Sequence, residues 1–225
     1  MRVQDSSWIA AARENWQIYV SRRGLFPGTA SILALAMVLG ALKSGAQSQD
    51  RGDWIETWTA SPQPIWSAEF FAPIGIPRSL RNQTVRQIAT ISLGGKRVRV
   101  EFSNEYGSLP LVIGAAHVAV AGQGGAIAAN SDRTLTFGGK TSVTIPPSAP
   151  VVSDPVDLTL EPLSSVAVSL FLPEQAPLTT FHWEGVRTAY TSPEGNFAGD
   201  TDIKTDSTIK SRLFLSGRSD LDLAK

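Results

Sequence analysis

His117 and His182 are the only two imidazoles in a chain of 225 residues, so acid–base chemistry near neutral pH has to be sought around them. His182 lies in Phe181-His182-Trp183-Glu184-Gly185, beside a carboxylate that could orient the ring. Serines that could act as nucleophile are plentiful in the chain. A hydrolase built on His182, Glu184 and a serine is therefore one alternative. The plainer one is a strand histidine hydrogen-bonded at a sheet edge. His117 alternates within the alanine–valine run at 111–121 and reads as structural.

Other chemistries find fewer parts. The nucleophile elbow G-x-S-x-G and the metalloprotease pattern H-E-x-x-H are both absent. Two histidines cannot make a His-rich metal centre, and no His–carboxylate spacing stands out. Gly94-Gly95-Lys96 and Gly138-Gly139-Lys140 lack the preceding glycine of a phosphate loop. The carboxylates are scattered, with no pair suggesting glycosidic acid–base work. Cysteine is absent, which excludes disulfides and thiolate catalysis. No catalytic residue, cofactor or metal ligand is assigned on these grounds.

Aromatic residues form the remaining group of interest: Trp54, Trp58, Trp66, Phe70, Phe71 and Trp183. Rings on a rigid sheet can stack on sugars, which makes a free-standing carbohydrate-binding module a second alternative. Trp66 and Trp183 would then be its ligand-stacking residues and a polysaccharide its partner. The bland reading is that they fill the core. Asn82-Gln83-Thr84 also fits a glycosylation sequon.

The elements that must position these residues are short strands. Residues 84–103 alternate as two strands around Gly94-Gly95, a pair suited to the positive φ angles of a type I′ turn. A hairpin closed there sets Leu93 against Lys96, Ile91 against Val98 and Ala89 against Val100. Its other, wet face would carry Arg86, Ile88, Thr90 and Ser92 opposite Ser103, Glu101, Arg99 and Arg97. A second hairpin is expected at 134–145, with a three-residue loop Gly138-Gly139-Lys140. Further strands are expected at 54–60, 111–121, 156–160, 165–172, 179–191 (bulged at Gly185) and 212–216. Four prolines make 61–81 a loop. No amphipathic helix and no repeat follows. This pattern predicts an all-β fold, a jelly-roll-like β-sandwich spanning 54–217.

The first 46 residues read as a signal peptide of Tat or Sec type. Arg22-Arg23 precede an apolar run at 32–42, and Ser44-Gly45-Ala46 offers a cleavage site. Eleven residues, broken by Gly40, fall well short of the roughly 20 a stable membrane span needs. Residues 47–53 are a linker and 218–225 a truncated tail. The whole chain has 20 basic and 20 acidic residues; without 1–46 it carries a net charge of −3. Nothing there suggests a nucleic-acid partner. An exported, periplasmic or extracellular protein is expected.

Seven segments carry a resemblance: TWTASPQP (57–64), TVRQIATISLGGKRVRVEFSNEYG (84–107), LVIGAAHVAVAG (111–122), LTFGGKTSVTIPP (135–147), VVSDPVDLTL (151–160), VAVSLFLP (166–173) and TAYTSPEGNF (188–197). Together they resemble the amino-terminal region of secreted bacterial SGNH (GDSL-type) hydrolases, across nearly all of the mature chain. The resemblance implies a β-sandwich that precedes an α/β domain with Ser, Gly, Asn and His catalytic blocks. Those blocks do not carry over. In the family the G-D-S block follows an F-L-S-G segment, here Phe214-Leu215-Ser216-Gly217, and eight residues follow it. Gly199-Asp200-Thr201 has threonine for serine and lies before that segment. Thr179 and Gly114 stand where a D-x-x-H would need aspartate. The expectation is a non-catalytic accessory module whose partner is an SGNH catalytic domain.

Overall fold

The structure, a computed structural model, describes residues 54–66, 75–216 and 220–222. The signal peptide and linker expected at 1–53, together with Phe70 and Phe71, lie outside the described residues. The fold is all-β: the described elements are nineteen strands with no helix among them. A six-stranded sheet is built around the antiparallel trio Gln83–Thr90, Ser165–Leu172 and Ala115–Val120. A four-stranded sheet packs against it through Gly95–Arg99 and Val156–Leu160. Val85, Val118, Val166, Val168 and Leu170 from the first sheet meet Val98, Leu158 and Leu160 from the second in one core. That is the β-sandwich the alternation implied.

The central hairpin does not form. Gln83–Thr90 pairs with Ser165–Leu172 over eight register positions and with Ala189–Glu194 on its other side. Gly95–Arg99 belongs to the other sheet. Between them the chain crosses the sandwich. Ile91 N–H donates to the Ser164 carbonyl (3.0 Å), and Ser92 N–H to the Thr57 carbonyl (2.9 Å). Leu93 N–H donates to Thr57 Oγ1 at 2.8 Å. These donors thus find partners outside the expected hairpin. Neither Gly94 nor Gly95 has positive φ. Gly94 is needed for room: a Cβ there would strike the Leu160 carbonyl oxygen and the Pro162 ring.

The type I′ geometry occurs instead at Gly138-Gly139, with φ of 59° and 78°. The loop has two residues rather than three, so Phe137 pairs with Lys140. Asp154, from a different segment, clips this turn. Its carboxylate accepts from Gly139 N (2.7 Å), Gly138 N (3.0 Å) and Thr136 Oγ1 (2.7 Å). These bonds, the Gly139 amide foremost, hold its pKa below the usual carboxylate value.

Several expected strands are broken where the chain changes sheets. Leu111–Ile113 pairs with Val143–Ile145, whereas Ala115–Val120 joins the six-stranded sheet after a break at Gly114. Residues 179–191 form two strands, Thr180–His182 and Ala189–Glu194, in different sheets, rather than one bulged strand. Asp220–Asp222 lies beyond the boundary expected at 217. It pairs on one side with Trp54–Glu56 and on the other with Gly95–Arg99.

The expected wet face of Gln83–Thr90 is also covered. Ile88 packs with Ala119, Ile127 and Ala167 in a second, smaller cluster. Beside it Arg86 is completely buried. Arg86 donates to Ser169 Oγ (2.8 Å) and to the carbonyls of Gly125 (2.8 Å), Ala198 (3.1 Å) and Asp200 (2.7 Å). The guanidinium thereby fastens two loops onto the sheet. Burial lowers its pKa, opposed by the charges of Asp132, Asp200 and Asp202.

Candidate functional site

Register across the six-stranded sheet aligns a polar row. Tyr190 stands opposite Arg86, Arg86 opposite Ser169, Ser169 opposite His117 and His117 opposite Thr134. Directly opposed residues share a face of the sheet. Asp132, in the loop entering the Arg133–Thr134 strand, holds His117 Nδ1 at 2.8 Å through Oδ2 and 3.1 Å through Oδ1. Gly199 packs against the same imidazole, where a Cβ would come within 3.0 Å of Cε1. The near-match Gly199-Asp200-Thr201 is therefore part of the loop that covers His117.

An imidazole oriented by a carboxylate is two-thirds of an acyl-transfer triad. The remaining third is a hydroxyl within about 2.6–3.2 Å of the free ring nitrogen. Among the described residues no hydroxyl hydrogen-bonds the His117 ring; Asp132 is its partner. Ser169, the serine aligned with it, is 2% exposed and already accepts from Arg86 Nε. A substrate carbonyl cannot reach that oxygen. The arrangement ties a strand to its neighbouring loop.

His182, the stronger catalytic candidate by sequence, ends the short strand Thr180–His182. Its Nδ1 lies 3.0 Å from the Ser61 carbonyl, so that nitrogen carries the proton and donates. Glu184 does not orient the ring; it is exposed and sits in the left-handed region at φ 54°. The suggested trio of His182, Glu184 and a serine is not brought together among the described residues.

Trp66 and Trp183 do come together, with ring centroids 5.0 Å apart at 47°. Phe181 meets Trp66 edge-on at 5.8 Å and is itself buried. Both tryptophans are half-buried and packed against the main core. Trp58 packs there too, while Trp54 lies under the Arg99 guanidinium at 3.9 Å. Much of the ring surface expected to stack on sugars is thus spent on neighbours. The sequon is likewise engaged: Thr84 is fully buried and its hydroxyl bonds the Gly195 carbonyl at 3.0 Å.

Sequence reasoning had no signal for an open groove of about 420 Å³ lined by Glu56, Glu101, Glu105, Ser103, Ser148 and Ser216. Ser216 donates to Glu101 Oε1 at 2.9 Å. Its residues come from distant segments, which only the sheet pairing unites. No group of three or more His, Asp or Glu among the described residues is arranged to hold a metal ion. Among those residues no helix is long and apolar enough to cross a membrane.

No protein-family model and no curated protein sequence matches the chain.

Proposed function

We propose that this chain is the non-catalytic β-sandwich module of an exported SGNH-type ester hydrolase, of jelly-roll type, acting beside an α/β catalytic domain. One observation carries the reading. Segments that carry the family resemblance interlock through residues whose type the fold demands. Asp154, from VVSDPVDLTL, clips the Gly138-Gly139 turn of LTFGGKTSVTIPP. Gly94, from the longest segment, makes room for the Leu160 carbonyl. The resemblance therefore falls on scaffold residues, and both imidazoles are engaged in holding strands to loops.

A module of this kind should recognise its catalytic domain. The full chain, mixed with the α/β domain of an SGNH hydrolase from the group it resembles, is expected to form a one-to-one complex by size-exclusion chromatography and calorimetry. No association up to about 100 µM, where even modest domain interfaces bind, contradicts the proposal. The carbohydrate-binding alternative has less support, because Trp54, Trp66 and Trp183 already pack against protein groups.

A further inference from the structure

Among the described residues two arginines are buried, and they are treated differently. Arg86 has all three nitrogens bonded and three aspartates within electrostatic reach. Arg212 is 1% exposed, and its Nε–H has no acceptor. Its Nη2 shares two hydrogens among the carbonyls of Ile88 (2.7 Å), Gly185 (2.8 Å) and Arg187 (2.7 Å), and Nη1 makes a longer bond of 3.3 Å to the Ser211 carbonyl. Burial lowers its pKa, to about 10, and among the described residues no neighbouring acid raises it. A buried cation satisfied by carbonyls and lacking an anion is an expensive arrangement.

The segment that covers it is itself strained. Glu184 and Val186 both lie in the left-handed region, at φ 54° and 60°, and Val186 is 84% exposed. For a β-branched residue that conformation is a true outlier, and such strain gathers at ligand clamps and switches. Arg187 N–H folds back onto the Gly185 carbonyl at 2.6 Å, a tight three-residue turn. Gly185 is required because a Cβ there would come within 2.8 Å of the Arg212 guanidinium carbon. Two of the carbonyls that occupy Arg212 therefore belong to a strap whose own backbone favours release.

We propose that residues 184–187 are a latch closed over a cationic site, and that lifting the latch presents the Arg212 guanidinium to an oxyanion, a phosphate or carboxylate group. The oxyanion replaces the Gly185 and Arg187 carbonyls and supplies the missing counter-charge, in the paired geometry guanidinium favours. Strain in the closed latch lowers the cost of opening it. The inference does not depend on the proposed accessory role.

Trypsin cleavage after Arg187, followed by mass spectrometry on the full chain, reads the open state directly. Inorganic phosphate and sodium acetate are compared with sodium chloride at equal ionic strength. At twice the open state's own Kd an anion raises the open population, and the cleavage rate, about threefold. Acceleration by phosphate alone marks a phosphoryl site, and acceleration by acetate marks a carboxylate site. Val186→Gly, which relaxes the closed latch, is expected to slow cleavage and lower the anion's apparent affinity, and it avoids the folding risk of replacing Arg212. Equal cleavage in all three salts, or faster cleavage in Val186→Gly, overturns the proposal.

Discussion

Glycine 94 offers the sharpest test of how this sandwich is wound. In a hairpin turn the residue would be chosen for positive φ, and asparagine would serve nearly as well. In the structure its φ is unexceptional and the constraint is contact. Alanine would drive its Cβ onto the Leu160 carbonyl oxygen and within 2.8 Å of the Pro162 nitrogen and Cδ. Those are mostly backbone atoms of the opposite strand end and cannot swing aside. The cost belongs at the upper end of overpacking, about 3 kcal/mol. For a domain of this size that lowers Tm by about 6–12 °C. Gly139 is the complementary case: φ is 78°, and the space a methyl group would enter is open, with nothing within 4 Å. Gly139→Ala should cost about 1–2 kcal/mol from backbone strain, and Gly139→Asn clearly less. Thermal and urea unfolding of four variants, alanine and asparagine at each site, decide the matter. At position 94 asparagine must be no better than alanine; at 139 it must be better. If Gly94→Asn unfolds like the parent protein, the crossing between sheets at 91–94 is wrong.

Three further outcomes follow from the same geometry. Arg86→Met leaves the Gly125, Ala198 and Asp200 carbonyls and the Ser169 hydroxyl without their donor, and should cost about 4 kcal/mol in urea unfolding. Asp154 has a folded pKa below its unfolded one, so its contribution is present above the unfolded value, about 3.9, and is lost as pH falls through the lower folded value. The group is largely solvated, so Asp154→Asn should remove only about 1 kcal/mol at neutral pH, and the parent and variant should converge once pH falls below the lowered folded value in denaturant titrations. Trp183→Ala should destabilise by about 3 kcal/mol through lost packing against Trp66 and the core, while soluble oligosaccharides leave the parent's tryptophan fluorescence unchanged.

Fold class was legible because period-two alternation survives in the long strands. Ser165–Leu172 emerged with its bounds intact, since Val166, Val168, Leu170 and Leu172 alternate along one face. Pairing was not legible. Alternation in residues 84–103 tells which side chains share a face, and it is equally compatible with two strands in one sheet or in two. A Gly-Gly pair is similarly ambiguous between a need for φ and a need for space, which is why the two glycine turns exchanged roles. Arg86 looked solvent-facing by type, and no local pattern announces that loops at 123–127 and 197–202 will cover it. The His117–Asp132 pair was missed for a related reason. Fifteen residues separate the two, and only a strand–loop–strand path brings them together. His182 attracted attention through neighbouring residue types, but its partner proved to be a backbone carbonyl.

The claim that follows most directly from the proposed accessory role is that neither imidazole activates a hydroxyl for acyl transfer. A fluorophosphonate probe phosphonylates an activated serine or threonine and reports it by mass. Incubated with the purified full chain, it is expected to leave Ser169, Thr134 and Thr201 unmodified, and p-nitrophenyl esters are expected to hydrolyse at the buffer rate. Labelling of any one of these residues that disappears in His117→Ala or His182→Ala contradicts the account.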